Sequence, residues 1–512
     1  MNRLPPALGR EPVLLNRSGD RRSNMADLTI TRIARRGGVF TPVLAALPML
    51  LAGCSFAPAH VRPPQPVPQA YAAAPAAGLS VAQVGWYDFF REEQLRALIA
   101  AALDNNRDIR VASGRVAEAR AAWRIQGSAL YPELDAVATG TRGRTPADLS
   151  GFGQAVTGNQ IYAQLSAGWE IDFWGRLRNL NEAARAQYLA TEEARRAVAT
   201  DLVAQVANGY LLEREYEERA ELAVRTIKTR EDALRIMRRR YEVGSGSKLE
   251  MTQAQTLLAQ AQAALQALDQ DRAVNRNALA LLVGRPVDIP PGPLRLAEAA
   301  PEVALPTGLP SALLTNRPDI VAAEYSLRAA EANIGAARAA FFPNISLTGA
   351  FGTASSDLDG LFKDGSLSWN FTPTLSLPLF NAGRLKGNLD VAKARQVIAV
   401  ADYERTVQAA FRDVSDALVR RRQLGLQIET TRTMLAALRE RARLAQLRFD
   451  NGRSAYLEVL DAQRDLFDTE QALVELRRAH LASAVALYAA LGGGFVQNPA
   501  FDINAAPGNR AQ

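Results

Sequence analysis

The chain has 512 residues, of which 48% are hydrophobic but only 7% aromatic. Ala and Leu carry much of that apolar fraction, beside abundant Arg, Glu and Gln, a mixture suited to long packed helices rather than a compact mixed core. The net charge of +7 is not a nucleic-acid footprint: residues 1–54 hold eight basic and three acidic side chains, which leaves 52 basic against 50 acidic in the rest, so no nucleic-acid partner is expected. The single cysteine excludes an intramolecular disulfide, and with only His60 and His480 beside it there is no ligand set for zinc or haem.

Residues 1–53 read as a leader. Arg32, Arg35 and Arg36 precede an apolar run of 13 residues, Val39–Leu51. A membrane-spanning helix needs about 20, so a basic flank with a short apolar core reads as a secretory signal. Met25 is an alternative start. The run ends in Leu51-Ala52-Gly53-Cys54, which resembles a bacterial lipobox, and the only cysteine of the chain falls at its lipidated position. Diacylglycerol and palmitate on Cys54 are therefore expected, with no other cofactor. Ser55 rather than Asp follows it, which by resemblance to sorted lipoproteins favours the outer membrane. Residues 54–85 continue as a linker. Six prolines fall in 58–75, and such a tract is extended, with no core of its own.

From residue 86 the chain repeats itself. Asn106-Arg107-Asp108-Ile109 returns as Asn316-Arg317-Pro318-Asp319-Ile320, and Tyr131-Pro132 as Phe342-Pro343. Gly175-Arg176-Leu177 returns as Gly383-Arg384-Leu385, and Tyr241-Glu242-Val243-Gly244 as Phe449-Asp450-Asn451-Gly452, both 208 residues on. One such match is chance; four in the same order are two structural repeats, 86–285 and 311–491. An equatorial connection, 286–310, joins them, and a tail, 492–512, follows.

Each repeat opens with a helix, then changes to period two. In 160–172, Ile161, Ala163, Leu165, Ala167, Trp169 and Ile171 alternate with Gln160, Tyr162, Gln164, Ser166, Gly168, Glu170 and Asp172. Segment 368–379 alternates equally well, 343–353 clearly, and 132–145 weakly. One apolar and one polar face match strands that cross lipid around a wet lumen; a half-buried soluble sheet makes the same pattern. Four strands cannot close a barrel, because single-chain barrels begin at about eight, and an open sheet in lipid leaves its edges unsatisfied. A membrane-embedded sheet must be completed by other chains. Loops 141–159 and 354–367 would join the strands outside the cell.

No proline interrupts Gly175 to Arg285 or Leu379 to Gln497. Helices are predicted over 176–242, 248–283, 384–450 and 454–491. The two longest, at 67 residues each, reach about 100 Å. Val224, Ile227, Leu234, Met237 and Tyr241 carry coiled-coil spacing, while Arg230-Glu231-Asp232 and Arg238–Arg240 read as a solvated face. Gly244-Ser245-Gly246-Ser247 and Asn451-Gly452-Arg453-Ser454 reverse the chain.

Several stretches resemble the TolC/OprM-like outer-membrane factor family, and in particular its NodT-type lipoprotein branch. They include Trp86-Tyr87-Asp88-Phe89-Phe90, Trp169-Glu170-Ile171-Asp172-Phe173-Trp174-Gly175-Arg176-Leu177, Phe341-Phe342-Pro343-Asn344-Ile345, Pro378-Leu379-Phe380-Asn381-Ala382-Gly383 and Tyr456-Leu457-Glu458-Val459-Leu460-Asp461-Ala462-Gln463-Arg464. The resemblance runs from about residue 54 to about 495. It implies a mainly α chain with a small β part, built into a homotrimer. Four strands per chain would give a 12-stranded transmembrane β-barrel, continuous with a long periplasmic α-helical barrel. It also implies the function: exit duct of a tripartite efflux system, served by a periplasmic adaptor and an inner-membrane transporter of the RND type.

The family's periplasmic gate maps onto Leu457, Asp461 and Arg464, with Glu458 beside them, and Arg464 is expected to pair with an acid on a neighbouring helix. Its adaptor-contact tips map onto Tyr241, Val243, Gly244, Asn451 and Gly452. The first tip departs from the commoner small-apolar pattern by carrying Gly246-Ser247-Lys248. A type I protein or peptide secretion duct and an envelope-tethering coiled-coil lipoprotein remain the alternatives. An enzyme is not expected: Glu170 and Asp172 could suggest a glycosidase pair, but they share the polar face of one strand, and no nucleophile elbow, P-loop or metal motif appears.

Overall fold

A computed structural model describes residues 55–71, 84–151, 153–291, 296 and 310–493. The leader, Cys54, most of the equatorial connection and nearly all of the tail lie outside the described residues. Each repeat contributes a 22-residue helix, two strands and a helical hairpin. The first consists of α1 (Glu93–Asn105), α2 (Arg107–Ser128), β1 (Glu133–Thr145), β2 (Val156–Ile171), α3 (Arg176–Glu242) and α4 (Lys248–Val283). The second consists of α5 (Pro318–Ala339), β3 (Asn344–Ser355), β4 (Leu367–Ser376), α6 (Arg384–Asp450) and α7 (Tyr456–Ala490).

The helix ends follow from named residues. Gly175 and Gly383 start the long helices with φ of 75° and 85°, a left-handed conformation open to glycine. Asp172 then accepts from the amides of Leu177 and Arg178 at 2.9 and 2.8 Å, placing a carboxylate on the positive end of α3. Ser247 and Glu250 form a capping box on α4. At the far ends, Ser245 N–H donates to Arg240 O and Arg453 N–H to Arg448 O, each at 2.8 Å. Both are Schellman closures around Gly244 and Gly452. The repeat also recurs in a close approach that no side chain could enter. A Cβ on Gly284 would stand 2.5 Å from Asn105 O, and one on Gly492 2.4 Å from Asn316 O.

The sheet is antiparallel in the order β1-β2-β3-β4, leaving β1 and β4 as open edges. Two strand limits differ from expectation. β2 begins at Val156 rather than 160, because Val156–Asn159 continue the ladder opposite Arg142–Thr145 after the apolar alternation has stopped. β4 ends at Ser376 rather than 379, just before Pro378, which has no N–H to give a ladder. The loops therefore shrink to 146–155 and 356–366.

Two of the sequence expectations for α3 are corrected. Val224 and Tyr241, placed on its seam by spacing, are exposed on the single chain; the buried stripe is Ala223, Arg230, Leu234 and Met237. Leu234 and Met237 stay on the buried stripe, but Ala223 rather than Val224 faces inward at its upper part, where it meets Leu268 of α4 and Phe467 of α7. Arg230, expected on a solvated face, is 3% exposed. It donates to Leu257 O at 2.6 Å and lies over the Phe467 ring at 5.1 Å. Burial pushes its guanidinium below the usual range, with Asp468 and Tyr456 acting against that.

Near the middle of the long helices, two apolar clusters join α1 and the start of α5 to the rods. One gathers Ile99, Val206, Tyr210, Leu279 and Val485; the other Ile320, Tyr403, Val414, Leu487 and Tyr488. A charged network pins the same level. Glu213 is wholly buried and accepts from Arg272 at 2.6 Å and Arg276 at 2.9 Å. Arg214 donates to Pro290 O at 3.0 Å, and Glu215 accepts from Arg478 of α7 at 2.7 Å. Removing one partner of such a pair leaves uncompensated charge in a poorly solvated place. Glu213→Ala should therefore cost about 3 kcal/mol and lower the Tm in detergent. An unchanged Tm would show that water satisfies both arginines.

Candidate functional site

The sheet separates two chemistries. Directly opposed residues in an antiparallel ladder share a face. Leu134 opposes Ala167, Leu165 opposes Phe351, and Phe351 opposes Trp369. Trp169 opposes Leu347, and Ile345 opposes Leu375. Between the Leu134 and Ile161 levels this face is largely apolar, and Leu134, Phe351, Trp369, Phe371 and Leu375 are exposed on it. The other face carries Asp135 opposite Ser166, Thr139 opposite Tyr162, and Thr348 opposite Thr372. Among the described residues no helix is long and apolar enough to cross a membrane.

Below the sheet, aromatic side chains fill the junction with the helices. Trp174 donates to Pro343 O at 2.9 Å and stacks on Phe342, which stacks on Phe56 at 4.7 Å. The proline-rich tract is thereby held down along α5 rather than left free. Arg338 donates to Phe56 O at 2.8 Å, and Ser55 Oγ to Asn179 Oδ1 at 3.1 Å. His60 Nδ1 lies 2.8 Å from Glu331, and its Nε2 lies 3.3 Å from Glu324. Burial works to raise the Glu324 carboxyl, but hydrogen bonds and charges from Arg62 and Arg328 outweigh it and hold it below the usual carboxylate range. The position next to Cys54 is thus fixed at the base of the sheet, a constraint that the proline count did not reveal.

At the opposite end the four rods meet. Leu234, Met237, Leu257, Phe449, Tyr456, Val459 and Leu460 form one apolar cluster, and Arg240 lies over the Phe449 ring at 5.0 Å. This cluster ties the first hairpin to the second. Tyr241, Val243, Gly244, Asn451 and Gly452 are exposed beyond it. Leu457, Asp461 and Arg464 lie along one face of α7, Leu457 and Arg464 exposed and Asp461 half-buried. Glu458 points aside to Arg448 of α6, at 3.3 Å. Within the single chain Arg464 pairs with Asp461 at 3.3 Å and Asp465 at 3.5 Å on its own helix. Asp461 is three residues away on the same helix face, and Asp465 is the next residue, itself paired to Arg441 of α6 at 2.7 Å.

Sequence reasoning missed Arg230 and the Glu213 network. Arg230 carries a weak signal, since it falls seven, four and seven residues from Ala223, Leu234 and Met237, but a lone arginine in a charged run reads as solvent-facing.

An open sheet with one apolar face, joined through an aromatic belt to rods of about 100 Å, defines a membrane-anchored helical duct or stalk. The Outer membrane efflux protein family model matches residues 98–285 and 309–493, one match per structural repeat. The chain belongs to that family. It is 44% identical to the toluene efflux pump outer membrane protein TtgF of Pseudomonas putida, over 88% of this chain and 96% of that one. It is 40% identical to the cation efflux system protein CusC of Escherichia coli, over 87% and 97%. A membrane protein of Pseudomonas aeruginosa solved by crystallography superposes with a TM-score of 0.81 at 40% identity, covering 86% of this chain and 98% of that one.

Proposed function

We propose that three copies of this chain close into one barrel and form the exit duct of a tripartite efflux system. The carrying observation is the four-stranded sheet with two open edges and one exposed apolar face. In lipid those edges must be paired. Two copies would supply eight strands, whose interior is just filled by side chains; three supply twelve and leave a lumen. The internal repeat supports a seam between copies. In the first repeat Phe173-Trp174 lead into α3, and Trp174 packs on Phe342 and Pro343 of the second. Just before α6 in the second repeat, Leu379 and Phe380 are 89% and 90% exposed, and Tyr131, the counterpart of Phe342, is 73% exposed. Leu379 and Phe380 of one copy would cover Tyr131-Pro132 of the next.

The polar sheet face lines the lumen, and the long helices carry it across the periplasm. The tips at Tyr241, Val243, Gly244, Asn451 and Gly452 meet a periplasmic adaptor, which couples the duct to an inner-membrane transporter of the RND type. Threefold symmetry turns Leu457 into an apolar ring and Asp461 into a carboxylate ring, which favours cations, with Arg464 and Glu458 bracing it. Cys54 carries the lipid, and the tract from Ser55 to Arg62 holds that anchor at the base of the barrel. The duct moves its cargo without chemical change. Similar relatives named for toluene and for cation efflux support a passive conduit whose cargo is set by the pump; peptide export by a type I system fits the same wall.

Planar-bilayer recording tests this reading. Discrete channels with a cation preference are expected, while a tether or an enzyme passes no current. Asp461→Ala should raise the conductance or bring the cation preference towards unity; identical current and selectivity would remove Asp461 from the gate. Cells expressing Cys54→Ser should accumulate unprocessed protein without palmitate label, and normal maturation would refute the anchor.

A further inference from the structure

On the apolar face of the sheet, β1 ends in two arginines. Arg142 opposes Asn159 and Arg144 opposes Thr157, one and two same-face steps beyond the Gly140–Ile161 pair. They therefore share the face of Leu134 and Leu165. From Ile171 to Ile161 the strand climbs about 33 Å along its length, or about 25 Å of height at barrel tilt. That equals the apolar band of a lipid-embedded barrel. Arg142 and Arg144 stand about 5 and 10 Å above its upper edge, at headgroup depth and at the end remote from the helices. Both are exposed, and among the described residues neither has an ion-pair partner. The neighbouring loop adds Lys363, but Asp359 holds it at 2.9 Å.

Beneath the arginines the face narrows to Ala136, Ala138 and Gly140, and it opens lower down into an apolar groove of about 630 Å³ beside Leu134, Leu165 and Phe351. A guanidinium fork matches phosphate oxygens, and two forks one same-face step apart match a headgroup with more than one phosphate. We propose that this face binds a phosphorylated lipid of the outer leaflet, its phosphates on Arg142 and Arg144 and its acyl chains along the small-residue lane. The proposal rests on the lipid-embedded barrel described above.

The test uses the full-length protein in phosphatidylcholine nanodiscs doped with lipopolysaccharide, followed by native mass spectrometry after detergent release. The wild type should retain lipopolysaccharide, and R142Q/R144Q about tenfold less or worse. R142K/R144K, which keeps the charge, should retain an intermediate amount. Lipopolysaccharide stripped of phosphate should bind wild type and R142Q/R144Q alike. Equal retention of the phosphorylated lipid by wild type and R142Q/R144Q overturns the proposal. So does a wild type that holds no lipid while R142Q/R144Q falls apart into single chains, since the arginines then face a neighbouring copy. Conductance separates the two readings. If both forms conduct and retain lipid equally, only the headgroup site fails; if neither conducts in any bilayer, the duct and the site fail together.

Discussion

An edge strand in hydrocarbon is the constraint on which the remaining structure depends. Backbone N–H and C=O groups cost several kcal/mol each when they face lipid without partners. A sheet of four strands cannot satisfy its own edges, and its apolar face cannot remain in water as a patch of this extent. Lipid and further copies of the chain resolve both problems together. The helices follow from the same constraint. Once the sheet is committed to the outer membrane, chain that leaves its lower end must either stop or descend, and here it descends in rods of about 100 Å.

The repeat organises how the rods are held. Glycines at equivalent places, Gly284 and Gly492, let the two hairpins press against Asn105 and Asn316. The Glu213 network and the clusters around Tyr210 and Tyr403 clamp the rods at mid-height. Below that level they touch through a thinner seam, with Arg230 seated among α3, α4 and α7. The rods meet again at the tips, where the cluster around Phe449 and Tyr456 ties the two hairpins together. The N-terminal tract adds a second fixed level, at the junction of sheet and helix, through Phe56, His60 and Arg62.

Much of this was legible in the residues. Strands announce themselves by alternation because one face meets lipid and the other water, and 160–172 displays it with little interruption. The long helices are bounded by Gly175, Gly383 and the tip glycines, and the absence of proline between them is a physical signal. The polar start of β2 at Val156 was hidden because its pairing persists after its faces cease to differ. Arg230 and Glu213 were hidden because burial of a charge depends on which helices surround it, which spacing along one helix does not encode. The tract after Cys54 was legible as extended, but its contacts with α5 join residues more than 260 apart. The positions of the gate and tips came from resemblance; the single chain exposes those residues without a partner to define them.

The central claim is that successive residues of one strand face lipid and water in turn. Single-cysteine variants of a Cys54-retaining, acylated background, labelled with a fluorophore at each position from Gln160 to Ile171 and reconstituted in vesicles, measure this directly. Quenchers carried on lipid tails should dim Ile161, Ala163, Leu165, Ala167 and Trp169, and a water-soluble quencher should dim Gln164, Ser166 and Gly168. A quenching profile without a two-residue period, or one in which every position answers to the aqueous quencher alone, would contradict the account.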